Sequence, residues 1–133
     1  MRTSELISLW QIPENREFVF KNLKSNTTKL LLKHHKDEVK KELITQIAAR
    51  QRVLKKVPEW VNNQELIFSP RINLEQASSE LTAKFKSRLI KGDSLIDITG
   101  GLGVDCYYLS LNFSDSCYYE KNSELAEIVQ YNF

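Results

Sequence analysis

Three glycines within four positions, directly after a short apolar run, constrain this chain more than any other feature. The stretch SLIDITGGLGVD runs from Ser94 to Asp105, and Gly100, Gly101 and Gly103 are three of the four glycines in 133 residues. Glycine adopts backbone angles closed to residues with a Cβ and lets a ligand approach the main chain. A strand, a glycine turn and a helix start in this order are typical of a βα unit whose free N–H groups hold an anionic group of a nucleotide-like ligand.

Two carboxylates flank this turn. Asp97 lies before the glycines, at the end of the predicted strand Leu95–Ile98, and Glu120 follows a second predicted strand, 19 residues after Gly101. A carboxylate at the end of the second strand of a βαβ fold accepts hydrogen bonds from ribose hydroxyls. An acid beside the glycines suits a cationic amine better than a pyrophosphate. S-adenosylmethionine carries such an amine, so the pattern favours it as the cofactor.

A dinucleotide site is the alternative interpretation of the same turn. The G-x-G-x-x-G fingerprint would start at Gly101 and Gly103 and then require glycine or alanine where the chain has Cys106. The match is therefore incomplete. An NAD-linked oxidoreductase fragment remains open as a hypothesis, and it predicts that the chain prefers NADH to S-adenosylhomocysteine.

The first part of the chain, residues 1–91, is predicted to be a mainly α-helical N-terminal domain. Asn73 and Gln76 form a capping-box-like start for its last helix. Leu81, Phe85 and Leu89 follow on one face of that helix. The predicted helices are Ser4–Gln11, Pro13–Leu23, one that begins at Leu30, about Lys36 to Lys56 and Asn73 to Leu89, with a short extended piece at Leu66–Phe68.

The second part, residues 92–133, changes to a β-α-β-α pattern. It is predicted as strand Leu95–Ile98, helix Val104–Asn112, a turn at Phe113–Ser116, strand Cys117–Tyr119 and a helix from Ser123. This order opens a doubly wound, Rossmann-like α/β sheet. Because a parallel sheet is buried on both faces and needs more strands, we expect a truncated chain whose open strand edges favour self-association.

Charge divides the chain at the same place. Residues 1–91 carry 18 Lys and Arg against 10 Asp and Glu, whereas residues 92–133 carry one Lys against 7 acids. The basic residues Arg50, Arg52, Lys55 and Lys56, close to Trp60, are the predicted contacts to phosphates of an RNA partner. A solvated helix face is the other interpretation of these residues. A non-enzymatic helical module that binds RNA or protein is therefore a third functional hypothesis.

Several classes of protein are disfavoured by composition. No apolar run approaches the about 20 residues that span a bilayer, and no signal peptide is recognisable, so a cytoplasmic protein is expected. Cys106 and Cys117 make no disulfide framework. His34 and His35 are adjacent, and since adjacent side chains point apart on a helix, no metal site is predicted there.

The motifs carry a family resemblance. LIDITGGLGVD followed by CYYEKN resembles motifs I and II of class I S-adenosylmethionine-dependent methyltransferases. INLEQASSELTAKFK and KKVPEW are similar to a bacterial, Bacteroidetes-type group of these enzymes that ends in a THUMP-like domain and is presumed to act on RNA. The resemblance covers about Lys55 to Phe133.

The resemblance implies a set of cofactor-binding residues. Asp97, Gly101 and Gly103 would hold the methionine part and Glu120 the ribose. The set is completed by Thr99 and Gly100 in the turn and by Gln76 and Ser79 from the preceding segment.

The resemblance also implies in-line methyl transfer, in which alignment and exclusion of water supply most of the catalysis. Enzymes of this kind that methylate a base nitrogen carry an Asp/Asn-Pro-Pro type motif after the fourth strand. Pro13, Pro58 and Pro70 do not fit that motif. No catalytic residue is assigned, and the chain by itself is expected to be inactive.

Overall fold

A computed structural model describes residues 2–70 and 77–133 of the chain. Within these ranges the helix-rich α/β fold contains α1 (Thr3–Trp10), α2 (Pro13–Lys21), α3 (Thr27–Lys33), α4 (Glu38–Val53), α5 (Pro58–Val61), α6 (Glu80–Leu89), β1 (Gly92–Asp97), α7 (Val104–Ser110), β2 (Phe113–Tyr118) and α8 (Ser123–Asn132). None of these helices has the length and apolar character needed to cross a membrane.

Local capping signals set where several helices begin. The side chain of Asn26 accepts a hydrogen bond from the backbone N–H of Lys29, so α3 starts before the predicted Leu30. Asp37 caps α4 in the same way by accepting from the N–H of Lys40, at 2.9 Å. Such side chains satisfy N–H groups that have no partner inside the helix.

The helix α5 is not among the helices predicted from the sequence. Pro58 opens it, since proline lacks only an N–H that the first turn does not use. The carboxylate of Glu80, on α6, accepts hydrogen bonds from the N–H groups of Glu59 and Trp60 at 2.9 and 3.2 Å. A cap that comes from 20 residues away in the chain cannot be found from local sequence.

The predicted extended piece at Leu66–Phe68 is buried but is not a strand. Side-chain amides satisfy its backbone instead of a neighbouring strand. Gln46 pairs with both the N–H and the C=O of Phe68, at 2.9 and 2.7 Å. Asn132 pairs with both backbone groups of Ile67, each at 2.9 Å. Because buried backbone groups need partners, these two amides fix the path of the segment.

Arg50 is fully buried in the centre of the helical part. Its Nη2 donates to the carbonyl of Leu66 at 2.5 Å, while Nε and Nη1 have no hydrogen-bond partner among the described residues. Its Cζ lies 4.9 Å from the ring centroids of Trp10, Phe20 and Phe68. Burial lowers the pKa of Arg50 to about 9, so the guanidinium is still charged at neutral pH and is stabilised by the three aromatic faces.

The strands β1 and β2 are parallel and pair from Gly92 with Phe113 to Asp97 with Tyr118. The predicted turn at Phe113–Ser116 is therefore wrong, because these residues form the first part of β2. The sequence SDS has little strand propensity. Its extended shape comes from pairing with β1.

One face of this two-stranded sheet is open to solvent. Ile96 on β1 is 63% exposed, and its partner Cys117 on β2 is exposed as well. Ile98, just beyond β1, is 77% exposed. The other face packs against α7. Parallel sheets are normally covered on both faces, so the described residues leave half of this sheet without its cover.

The helix α6 also presents an uncovered apolar stripe. Leu81, Phe85 and Leu89 have the predicted helical spacing but are 80%, 60% and 67% exposed. The helix begins at Glu80 and is capped by Ser79, which accepts from the N–H of Thr82 at 3.1 Å. The predicted start at Asn73 and Gln76 lies outside the described residues.

Two apolar clusters hold the described chain together, and each draws on both sequence parts. Val53 and Trp60 pack in one cluster with Val104 and Tyr108 of α7. In the other cluster, Ile128 of α8 joins residues of α1, α2 and α4. The division into two domains, residues 1–91 and 92–133, stays a prediction. Residues of both parts pack together in these two clusters.

Replacing Arg50 by alanine is expected to destabilise the fold by about 3 kcal/mol, because it leaves a cavity and removes the donor to Leu66 O. Urea denaturation followed by tryptophan fluorescence measures this change. The matched control is Lys55→Ala, an exposed position close by on the chain, which should change the free energy of unfolding by less than about 0.5 kcal/mol. Equal effects of the two substitutions would contradict the structural role of Arg50.

Candidate functional site

Each glycine in the turn between β1 and α7 is favoured by its own backbone conformation or its own close neighbours. Gly101 and Gly103 have φ values of +54° and +76°, in the left-handed region. A Cβ on Gly100 would overlap the ring of Tyr118 and lie 2.7 Å from the carbonyl oxygen of Tyr119. At Gly101 the nearest atom to such a Cβ is Thr99 O, at 3.6 Å. Gly101 is thus the glycine of this turn that leaves open space for a ligand on the side where a Cβ would be.

Glu120 lies against this turn, although 19 residues separate it from Gly101. Its Oε2 accepts the N–H of Gly101 at 2.8 Å, and its Oε1 accepts the N–H of Asn122 at 2.8 Å. A carboxylate has about four lone-pair sites, so these two bonds orient the group and leave acceptor capacity for hydroxyl donors. Glu120 and the glycine turn therefore share one site.

Asp97 ends β1 at the same edge of the sheet. Its Oδ1 accepts from the N–H and the hydroxyl of Thr99, at 3.0 and 3.3 Å. Its backbone carbonyl accepts the N–H of Tyr119 at 2.8 Å, which continues the ladder beyond the paired strands. The Oδ2 atom makes none of these bonds and is the group that could accept from a cationic amine.

Tyr118 is a residue of the site that sequence analysis did not select. Its hydroxyl donates to the carbonyl oxygen of Gly101 at 2.7 Å. Burial, and then the nearby carboxylates of Glu120 and Asp97, raise the pKa of Tyr118. The phenol therefore stays protonated and keeps this bond, which fixes the orientation of the Gly101 peptide. No sequence signal predicts this contact, because an aromatic residue in a strand is more often a packing residue.

Two further predicted cofactor-binding residues, Gln76 and Ser79, precede α6 in the chain. Gln76 lies outside the described residues. The hydroxyl of Ser79 caps α6 and lies 2.9 Å from that of Thr82. Its neighbour Ser78, which was not selected, contacts Asp105 in the first turn of α7.

The predicted phosphate-binding residues do not form one surface. Arg50 is buried and is not part of it. Arg52 and Lys55 are exposed, and Arg52 donates to the carbonyl of Pro70 at 2.9 Å. Lys56 is half-buried, and its Nζ donates to the carbonyl of Ala77 at 3.0 Å. The exposed basic group at this end of α4 therefore consists of Arg52 and Lys55.

A cavity of about 580 Å³ lies between α7, β2 and α8. It reaches Gly103 and Tyr118 but is lined by neither Asp97 nor Glu120. Burial, and then the charge of Asp97, raise the pKa of the Cys106 thiol in its wall, so this cysteine is not an activated thiolate. Ligands of open α/β sheets bind outside the carboxyl ends of the strands, which is where the two carboxylates are.

Comparisons with known proteins point to one class. No protein-family model matches the sequence, and no curated protein matches it. The fold is similar to a crystal structure described as that of a putative methyltransferase from Porphyromonas gingivalis W83, with 26% sequence identity and a TM-score of 0.74. The match covers 99% of this chain and 32% of that one.

This similarity supports a methyltransferase-related chain and hence the transferase class. The helix-rich α/β architecture with its small parallel sheet is compatible with part of a methyltransferase-like fold. The chain spans about a third of the length of the solved structure that it matches.

The different surroundings of two adjacent glycines predict different costs of substitution. Gly100→Ala should destabilise the protein by about 3 kcal/mol, because the new Cβ meets a ring and a backbone carbonyl that cannot both move away. Gly101→Ala should cost only about 1 to 2 kcal/mol, the price of a left-handed alanine in open space. Urea denaturation of both variants tests this order, and a smaller cost at Gly100 would contradict the geometry of the turn.

Proposed function

We propose that this chain supplies the first βαβα unit and the helical N-terminal part of an S-adenosylmethionine-dependent methyltransferase. The observation that carries the proposal is the position of Glu120, whose carboxylate accepts the N–H of Gly101 at the carboxyl edge of two parallel strands. The similarity to the P. gingivalis protein supports the class. The choice of cofactor rests on the two acids and the open glycine.

The residues of the turn fit the groups of such a cofactor. Asp97 offers a carboxylate oxygen to the amine of the methionine part, and Glu120 offers acceptors to the ribose hydroxyls. Gly101 and Gly103 keep the backbone close enough to be contacted by the cofactor. When bound, S-adenosylmethionine would supply an electrophilic methyl group on its sulfonium. The residues named here would bind and orient it, while Tyr118 holds the peptide of Gly101 in place.

The catalytic part of this enzyme would belong to the segment that completes the sheet. β1 pairs only with β2 among the described strands, and Ile96, Ile98 and the stripe on α6 are exposed. Further strands beside β1 and helices on its bare face would cover these residues. The greater length of the P. gingivalis chain supports this reading. A second copy of this chain is the alternative cover for the same face.

RNA is the substrate class that we propose. The support is the positive charge of residues 1–91, from 18 basic and 10 acidic residues, and the exposure of Arg52 and Lys55. Phosphate contacts of this kind are independent of base sequence and weaken as salt is raised.

Glu120→Gln is expected to weaken binding of S-adenosylhomocysteine by about tenfold or more, because an amide replaces one of the two acceptors with a donor. The measurement is a titration of ¹⁵N-labelled protein, followed by the amide signals of Gly101 and Gly103. Glu127→Gln, an exposed acid on α8, is the matched control and should leave the midpoint unchanged.

The same titration separates the alternatives. A wild-type protein whose glycine signals respond to NADH and not to S-adenosylhomocysteine would favour the oxidoreductase hypothesis. If neither ligand moves these signals, the cofactor proposal is wrong for this chain, and the non-enzymatic helical module becomes the better hypothesis.

Reversal of charge at Arg52 and Lys55, by Arg52→Glu with Lys55→Glu, should weaken binding of a single-stranded RNA by about tenfold at low salt. Fluorescence anisotropy of a labelled oligonucleotide at several salt concentrations measures it. The control is the double reversal of Lys29 and Lys33 on α3, which changes net charge by the same amount. Equal losses in the two double variants would show a general charge effect and would count against a local RNA surface.

A further inference from the structure

Three polar side chains join α6 to the start of α7, next to the candidate cofactor residues but separate from them. Asp105 accepts the hydroxyl of Ser78 at 2.5 Å and the Nζ of Lys86 at 3.0 and 3.2 Å. The same Nζ donates to the Ser78 hydroxyl at 3.2 Å. Each member of this cluster therefore contacts the other two.

The two helices favour the charges of this cluster. Asp105 is in the first turn of α7, where the helix dipole stabilises a carboxylate. Lys86 is in the last turn of α6, where the dipole stabilises a cation. The side chains of Lys86 and Asp105 are 44% and 30% exposed, so the pair is partly shielded from water. An ion pair of this kind is worth more than a fully exposed one.

The cluster adds a second set of contacts that restrain the glycine turn, beside those made by β2 and the residue that follows it. On the β2 side, Tyr118 and Glu120 bond to the backbone of Gly101. At the other end of the turn, Asp105 comes two residues after Gly103 and ties the start of α7 to α6. The turn is thus held between two sets of polar contacts.

The cluster also fixes residues 77–79, the segment that leads into α6. Ser78 lies next to Ser79, a candidate cofactor residue, and next to Ala77, whose carbonyl accepts Lys56 Nζ at 3.0 Å. A change in the cluster would therefore alter the distance between this segment and the glycine turn.

We propose that Asp105 is a positioning residue that, together with Lys86 and Ser78, holds the glycine turn and the segment before α6 in the relative position that the cofactor requires. The proposal rests on the proposed function. Both oxygens of Asp105 are engaged by Lys86, and one also by Ser78, so Asp105 acts through the backbone of the turn and not as a ligand. This role separates it from Asp97, the acid that we assign to the amine.

Lys86→Met tests the proposal, with Lys84→Met as the matched control. Lys84 is on the same helix and pairs with Glu59 at 2.6 Å, towards α5. It also lies 5.3 Å from the ring centroid of Tyr108, a contact to α7 that its methionine stem would partly keep. Both variants lose one lysine and one ion pair. Only the Lys86 variant removes the ion pair of Asp105.

Two measurements are made on each variant. Hydrogen–deuterium exchange of the cofactor-free protein should be about 3- to 10-fold faster for amides 101–107 in Lys86→Met, and unchanged there in Lys84→Met. Binding of S-adenosylhomocysteine should weaken by about 3- to 10-fold in Lys86→Met, with little change in the thermal midpoint. Lys86→Arg keeps the cation and should restore both.

The outcomes separate the two proposals. Unchanged exchange at residues 101–107 in Lys86→Met overturns the positioning role, as does an equal effect in Lys84→Met. Loss of affinity that Lys86→Arg does not restore also counts against it. Faster exchange in a protein whose wild-type form binds no S-adenosylhomocysteine supports the restraint on the turn and overturns the proposed function.

Discussion

The parallel pairing of β1 with β2 is the interaction on which the candidate site depends. The pair Asp97 and Tyr118 ends the register, and the bonds from Tyr119 N to Asp97 O and from Gly100 N to Tyr119 O extend it into the turn. This extension carries Glu120 to the N–H of Gly101. A shift of one residue would exchange the faces of every side chain in the slipped strand, and a slip of β2 would take the carboxylate of Glu120 away from the N–H of Gly101.

The glycines of the turn belong to the fold and to the site at once. Gly100 is required by the ring of Tyr118, and Gly103 begins α7 in a left-handed conformation with its Cβ position 3.0 Å from Val129. Gly101 has no such neighbour, so its conformation leaves a free approach to the backbone. Packing thus explains two of the three glycines. The left-handed φ of +54° accounts for the third, Gly101, and its open Cβ position leaves room for a ligand.

Net charge and hydrophobic spacing predicted the exposure of residues less well than the local turn signals predicted the glycine turn. The basic residues of the first 91 positions include Arg50, a buried cation held among aromatic rings, so net charge overstates the positive surface. Leu81, Phe85 and Leu89 have helical spacing, but spacing says only that they share a face. Whether that face is covered depends on what packs there, and within the described residues it is exposed.

The sequence by itself determined the βαβα order, the glycine turn with its two acids, and the helix starts at Pro13 and Ser123, because each depends on residues that are neighbours in the chain. The tertiary structure decided the first half of β2, the cap on α5, the burial of Arg50 and the cluster around Asp105. Each of these rests on partners that are distant in the chain, such as Arg50 and Leu66, which are 16 residues apart, and Ser78 and Asp105, which are 27 residues apart. Only folding brings such partners within hydrogen-bonding distance, and sequence spacing carries no record of it.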